Sequence, residues 1–195
     1  MIEPRSEELN NKINEEKLDY GIIVYIGHGA TQADIQLFQL NKDEVIKAGQ
    51  FIINSPKQII LLESCRNISK DIYTVDLKDK IPKFKYGGVV RHPLSRSIAR
   101  DVYDCQIRRC DDGLMICFAC SAGQSAYNYF FSIVLLQTAV DWYLEPSRHC
   151  AVLTMDELFA ITLFNTMQTA KVILGKDQKP TRIGNFDFPI TVSRY

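Results

Sequence analysis

Residues 58–67, Gln-Ile-Ile-Leu-Leu-Glu-Ser-Cys-Arg-Asn, constrain the fold of this chain more than any other stretch. Ile59, Ile60, Leu61 and Leu62 follow one another without polar alternation, which reads as a strand buried on both faces, in the middle of a mostly parallel sheet. Directly afterwards the sequence turns polar and places a cysteine at the strand's C-terminal rim, where open α/β sheets usually do their chemistry. An earlier run ends the same way: Gly21-Ile22-Ile23-Val24-Tyr25-Ile26 leads into Gly27-His28-Gly29. If the two strands are parallel neighbours, His28 and Cys65 emerge side by side at one edge. A base beside a thiol is the minimum equipment of a cysteine nucleophile.

The remaining pattern supplies an α/β alternation. A polar helix is predicted over residues 5–17, with Leu9 and Ile13 as a thin apolar stripe. Alternation over residues 34–40 suits a small strand or hairpin arm. Asn41-Lys42-Asp43-Glu44 has the form of a capping box and predicts a short helix through about Phe51, so that strand, helix and strand follow in turn. Residues 66–112 lack clear periodicity and carry a basic cluster (Arg91, Arg96, Arg100, Arg108, Arg109); they read as a linker. Gly113 to Cys120 resumes the sheet as a third buried strand. A helix follows from about Ser125 to Leu144, with Thr138, Asp141 and Glu145 on its wet side. Thr154-Met155-Asp156-Glu157 is a second capping box, opening a helix whose stripe is Phe159, Leu163, Met167, Ala170 and Leu174, stopped by Gly175. Residues 185–192 read as a last strand, at an edge because of Pro189.

Composition narrows the function classes. With 195 residues, 46% of them hydrophobic, there is enough chain for one core and too little for two ordinary ones. Lys plus Arg (23) equals Asp plus Glu (23), so no bulk field favours nucleic acid or an anionic membrane. No apolar run follows a basic start, so no secretory leader is expected. The apolar stretch over residues 130–143 is interrupted by Ser132, Gln137, Thr138 and Asp141 and is too short to span a bilayer. Among the six cysteines, Cys117 and Cys120 form a C-x-x-C, but it lies in an apolar strand-like run with no second pair. Neither a metal nor another cofactor is called for, and reduced thiols in a cytoplasmic protein are the expectation.

Taken together, Tyr25-Ile26-Gly27-His28-Gly29, Leu61-Leu62-Glu63-Ser64-Cys65-Arg66-Asn67 and Phe118-Ala119-Cys120-Ser121-Ala122-Gly123-Gln124-Ser125-Ala126-Tyr127 resemble the caspase-like cysteine peptidases. The resemblance is nearer to the metacaspase, paracaspase and bacterial caspase-like branches. Those families carry a small-Gly-His-Gly at one strand end, an acidic-x-Cys-Arg or acidic-x-Cys-His at the next, and a Gly-Gln-x-Ala element after a third. Order and strand context match from about residue 18 onward. Three features depart from the pattern. Glu63-Ser64-Cys65-Arg66-Asn67 stands where caspases have Gln-Ala-Cys-Arg-Gly. Residues 1–17 are too short and polar for the strand, helix and strand that normally precede the histidine strand. Ala122-Gly123 replaces the metacaspases' acidic pair.

The resemblance implies a three-layer α/β/α fold with a mostly parallel central sheet whose front strands are missing or divergent. It implies one domain: residues 18–65 carry the His and Cys strands, residues 66–112 the linker, and residues 113–195 a small-subunit-like part. As for activity, it implies an endopeptidase in which Cys65 attacks the scissile carbonyl and His28 protonates the leaving amine, then activates water. The Gly29 and Cys65 N–H groups would stabilise the oxyanion, commonly worth about 3 kcal/mol per donor. Glu63 would lie at the base of the substrate pocket and favour Arg or Lys; the alternative is a carboxylate that caps a following helix or pairs with Arg66. Ser121 and Gln124 would form the pocket wall, against ordinary strand-end turn chemistry. The substrate would be a protein or peptide, with room for a homodimer or larger assembly, and the basic cluster becomes a candidate self-cleavage segment. The competing function is a catalytically silent interaction or scaffold domain on the same fold.

Overall fold

A computed structural model describes residues 18–32, 35–66, 93–127 and 129–195, together with Glu7. Apart from Glu7, the helix predicted over residues 5–17 lies outside the described residues, as do residues 33–34 and Arg91. Among the described residues the central sheet has four strands. β1 (Gly21–Ile26) runs parallel to β5 (Lys57–Glu63), which runs parallel to β6 (Gly113–Phe118); β8 (Thr181–Ile183) closes the sheet antiparallel to β6. The unbroken aliphatic run accounts for the central place of β5. Ile59, Ile60 and Leu62 are fully buried, and successive side chains point to opposite faces, so both faces of β5 are covered.

On one face Ile59, Met115, Cys117 and Ala119 pack against Phe131, Leu135, Trp142, Leu158 and Phe159. These come from α2 (Phe130–Leu144) and α3 (Met155–Leu174). On the other face Ile60, Leu62, Ile116 and Phe118 join Tyr25, Phe38, Ile46 and Phe51. Among the described residues that second layer is a small antiparallel sheet, β2 (Gly29–Gln32), β3 (Ile35–Gln39) and β4 (Val45–Lys47), followed by a single 3₁₀ turn at Ala48–Phe51. Tyr25, Phe38 and Phe51 meet one another at ring-centroid distances of 5.2–5.4 Å. Such aromatic pairs contribute about 0.5–1.5 kcal/mol each beyond their burial and anchor the small sheet under β1.

The predicted strand–helix–strand unit before β5 is corrected here. Asn41 does cap, its Oδ1 accepting from Asp43 N and Glu44 N, both at 2.9 Å. The chain leaves that turn as β4, because Ile46 is needed beside Phe38 in the small core. The stretch read as linker contains α1 (Arg96–Arg109), N-capped by Ser95, whose hydroxyl accepts from Ile98 N at 3.3 Å. Arg96, Arg100, Arg108 and Arg109 therefore lie on a helix, and proteolysis after any of them requires α1 to open first. The last strand forms as β9 (Pro189–Val192) but pairs with β7 (Val152–Thr154) in a separate ribbon. Among the described residues β8 is one edge of the main sheet, which three residues of mixed polarity did not announce.

The α3 capping box forms as read: Thr154 Oγ1 accepts from Glu157 N, and Glu157 Oε2 accepts from Thr154 N and Oγ1. Gly175 ends α3 in the left-handed conformation, at φ 63°. The buried stripe, however, is Met155, Leu158, Phe159, Thr162, Thr166 and Ala170, and Met167 is exposed. On α2, Thr138 is buried rather than wet, and its hydroxyl accepts from Asn165 Nδ2 of α3 at 3.4 Å. Thr162 and Thr166 are wholly buried, and neither hydroxyl has a hydrogen-bond partner among the described residues. An orphan hydroxyl in a core costs about 1–3 kcal/mol. Thr162→Val and Thr166→Val should each raise stability by about 1 kcal/mol in denaturant unfolding.

Candidate active site

The parallel register of β1 and β5 pairs Ile26 with Glu63. Gly27 N donates to Glu63 O at 3.1 Å and carries the pairing one step further. His28 follows β1 by two residues and Cys65 follows β5 by two, so both lie just beyond the C-terminal ends of neighbouring parallel strands. β1 and β5 are neighbours in the strand order β1, β5, β6, β8 and run parallel. His28 is exposed and Cys65 half-buried.

Glycine on either side of His28 has a steric reason. The Tyr25 ring folds beneath the turn, and its hydroxyl lies 2.7 Å from both His28 O and Gln39 O, carbonyls it can serve as donor. A Cβ on Gly27 would meet that hydroxyl at 2.6 Å. Burial pushes the Tyr25 hydroxyl up to about 12, against the bond to Gln39 O, so it stays a donor at neutral pH. A Cβ on Gly29 would lie 2.7 Å from Ser64 Oγ and 2.9 Å from Cys65 O. Gly29 is what lets the hairpin press against the cysteine turn. Gly29→Ala should therefore cost about 1–3 kcal/mol in denaturant unfolding. Gly49→Ala, where a Cβ meets nothing within 4 Å, is the control that should stay within about 0.5 kcal/mol.

Gln39 N donates to His28 O at 2.9 Å, which makes His28 and Gln39 a hydrogen-bonded pair of the antiparallel ladder. The next residue, Gly29, consequently turns its N–H away from β3. Cys65 is held from several sides: its Sγ lies 3.5 Å from Ala126 O, to which it can donate, and its carbonyl accepts from Gln36 Nε2 at 3.0 Å. Arg66 N donates to Gln124 O, and Gly123 N to Arg66 O, both at 3.0 Å, tying the loop after β6 to the same turn.

Glu63 is 3% exposed. Its Oε2 accepts from Ser132 N at 2.6 Å and Ser132 Oγ at 2.7 Å, in the first turn of α2. A carboxylate suits that position, where free N–H groups and the helix dipole favour negative charge. Its Oε1 has no partner among the described residues. Burial pushes the Glu63 carboxyl up to about 7, and the Ser132 and Phe131 bonds pull the other way. Oε2 thus acts as a cap, on the helix after the third strand, while Oε1 is buried beside it. Gln124 Oε1 accepts from Ser121 N at 3.3 Å and Lys179 N at 3.0 Å, and Ser121 Oγ donates to Lys179 O at 3.0 Å. Both side chains brace the loop after β6 against the approach to β8.

The sequence reading passed over Gln36. Its signal was present: alternation in β3 sets Gln36 on the same face as the buried Phe38, and a polar side chain at a core position needs partners. The other thiols differ from Cys65 in setting. Burial pushes Cys117 and Cys120 up to about 12, and all six cysteines are free. Among the described residues no three His, Cys, Asp or Glu side chains gather as a metal site requires, and no helix is long and apolar enough to cross a membrane.

Comparison with known proteins agrees with this layout. No family model matches the sequence, and no curated protein matches it. Among solved structures, caspase-1 from Spodoptera frugiperda superposes with a TM-score of 0.50 at 16% identity, covering 98% of this chain and 72% of that one. The fold is caspase-like. At that identity the likeness speaks for the architecture: a mostly parallel sheet flanked by helices, with the order of elements found here.

Proposed function

We propose that the chain is a cysteine endopeptidase of the caspase-like type, cutting peptide bonds after Arg or Lys. The observation that supports this reading is the parallel pairing of β1 and β5, whose C-terminal ends lead into His28 and Cys65, with Gly29 packed close to the cysteine turn. Cys65 Sγ, as thiolate, bonds to the scissile carbonyl carbon, and the carbonyl oxygen becomes an oxyanion. The outward-turned Gly29 N–H and the Cys65 N–H hold that oxyanion. His28 gives its proton to the leaving amine, so that a thioester remains. It then takes a proton from water, whose oxygen attacks the thioester and releases the acid and the thiol. No metal or other cofactor enters.

Glu63 is assigned the selection of a basic side chain. Its Oε1, buried and without a hydrogen-bond partner among the described residues, is the atom that would take a charge-assisted bond from a guanidinium or ammonium admitted beside it, and an acidic side chain there would meet a buried like charge. Ser121 and Gln124, as braces of the neighbouring loop, give the pocket its wall. The metacaspase-like preference, a cytoplasmic location with reduced thiols, and a protein or peptide substrate belong to the same proposal.

A second reading has an observation of its own. Among the described residues, Ile22, Val24 and Ile26 share a β1 face that no helix covers and are 47%, 53% and 47% exposed. Such an apolar row suits a scaffold or interaction domain, as a homodimer or in a larger assembly. Matched peptides with Arg, Gln or Asp before the cut separate the readings. Arg peptides should be cleaved fastest. Faster cleavage of Asp peptides would overturn the Glu63 assignment, and no cleavage of any would favour the scaffold.

A further inference from the structure

Resting on the peptidase reading, we infer that Gln36 is a positioning residue for the Cys65 nucleophile, with Arg66 as its partner. Gln36 sits in β3, is 9% exposed, and directs its amide at the cysteine turn. Nε2 donates to Cys65 O at 3.0 Å; Oε1 accepts from Arg66 Nε at 3.2 Å and from Thr31 Oγ1 at 3.1 Å. Thr31 Oγ1 also lies 2.9 Å from Arg66 O, to which the same hydroxyl can donate instead. Thr31 belongs to β2, which starts at Gly29, one residue after His28, and pairs with Gln36 in the hairpin. Three residues thus join the hairpin that begins at His28 to the turn that presents Cys65.

Arg66 extends the brace to the far side. Its NH1 donates to Thr181 Oγ1 at 3.0 Å and Cys120 O at 3.4 Å, and its guanidinium lies 4.2 Å from the Phe118 ring centroid. The network spans β3, the β5 turn, the loop after β6 and β8. A buried, paired amide of this kind allows little slack, since any slip leaves a donor or acceptor unpaired. The consequence is local to chemistry: the imidazole and the thiol ride on two separate strand ends, and Gln36 locks one to the other. Misplacing a base by about 1 Å is enough to cost a large part of its contribution.

The test is the rate at which iodoacetamide modifies Cys65 at pH 7, followed by mass spectrometry of the Cys65 peptide. His28→Ala sets the floor, and Cys105 on α1 is the internal reference. Gln36→Glu keeps volume and the acceptor for Arg66 but loses the donor to Cys65 O; Gln36→Ala loses both. Both should lower the Cys65 rate about ten-fold toward the floor, with Cys105 unchanged. On a peptidyl-Arg substrate kcat should fall similarly while KM stays within about two-fold, a split that simple destabilisation does not produce. Cys65 rates and kcat at the wild-type level in both variants overturn the inference alone. A wild-type rate no higher than that of His28→Ala overturns the peptidase reading and the inference with it. Should Gln36→Ala fail to fold, Gln36→Glu carries the test; should both fail, Arg66→Lys, which lacks the Nε donor, takes their place.

Discussion

Under the proposed function, Cys65→Ala and His28→Ala should each remove peptide cleavage while leaving the fold in place. The expected loss is about 10³-fold or more in kcat/KM, roughly 4 kcal/mol of transition-state stabilisation, because nucleophile and base act as a unit. Stability should move little, since His28 is exposed and Cys65 half-buried at a strand end. The double variant should be no worse than either single one, as two parts of one device are not additive. Peptide kinetics and thermal melting on the three variants check this. Residual turnover above a few per cent in Cys65→Ala would move the nucleophile elsewhere.

Glu63→Gln should change stability and specificity together. The Glu63 carboxyl sits at about 7 in the folded protein against 4.5 ordinarily, chiefly through burial. Between those values the folded state keeps a proton that the unfolded chain has released. Stability therefore falls as pH rises through that window, by roughly 3 kcal/mol in all for this group. An amide in its place has no proton to lose, so the variant should lack this part of the decline and be the more stable protein at pH 8. Denaturant unfolding at pH 5 and pH 8 reads the difference; equal pH dependence in both proteins would contradict the buried titrating carboxyl. The kinetic cost should appear on Arg peptides alone, as a loss of about ten-fold or more, about 1.4 kcal/mol. Wild-type turnover of Arg peptides should rise as pH passes 7, because only the ionised carboxylate attracts the guanidinium strongly. If Glu63 acts only as the cap of α2, the effect will be the same for Arg and Gln peptides.

What could be read in advance follows from where the physics is local. The β5 strand needed only its own composition, because four aliphatics in a row fit few places other than the centre of a sheet. The α3 cap needed only Thr154 and Glu157, whose reciprocal bonds close within one turn. The stripes on α2 and α3 were less legible, since both helices also carry apolar residues outward. Leu136, Phe164 and Val172 are 63%, 64% and 82% exposed, so periodicity alone could not say that Thr162 and Thr166 face the core. The β4 strand escaped because an Asn cap precedes turns as well as helices, and the decision lay with Phe38, the partner of Ile46 across the hairpin. α1 escaped because its apolar stripe, Ile98, Val102 and Cys105, is short and set among charged residues, and none of its residues is deeply buried. At the site, the motif named His28, Gly29, Cys65 and Glu63. Gln36 and the role of Ser132 arise from tertiary contacts across 29 and 69 residues.

The central claim is that Cys65 and His28 form one reactive centre next to a pocket for a basic side chain. Covalent capture tests it most directly: fresh protein is exposed to a peptidyl-Arg acyloxymethyl ketone and to its Asp counterpart, and intact mass is measured. The account predicts a single adduct with the Arg reagent, mapped to Cys65, absent in Cys65→Ala and strongly slowed in His28→Ala. No adduct, an adduct on another cysteine, or capture by the Asp reagent in preference to the Arg one would contradict it.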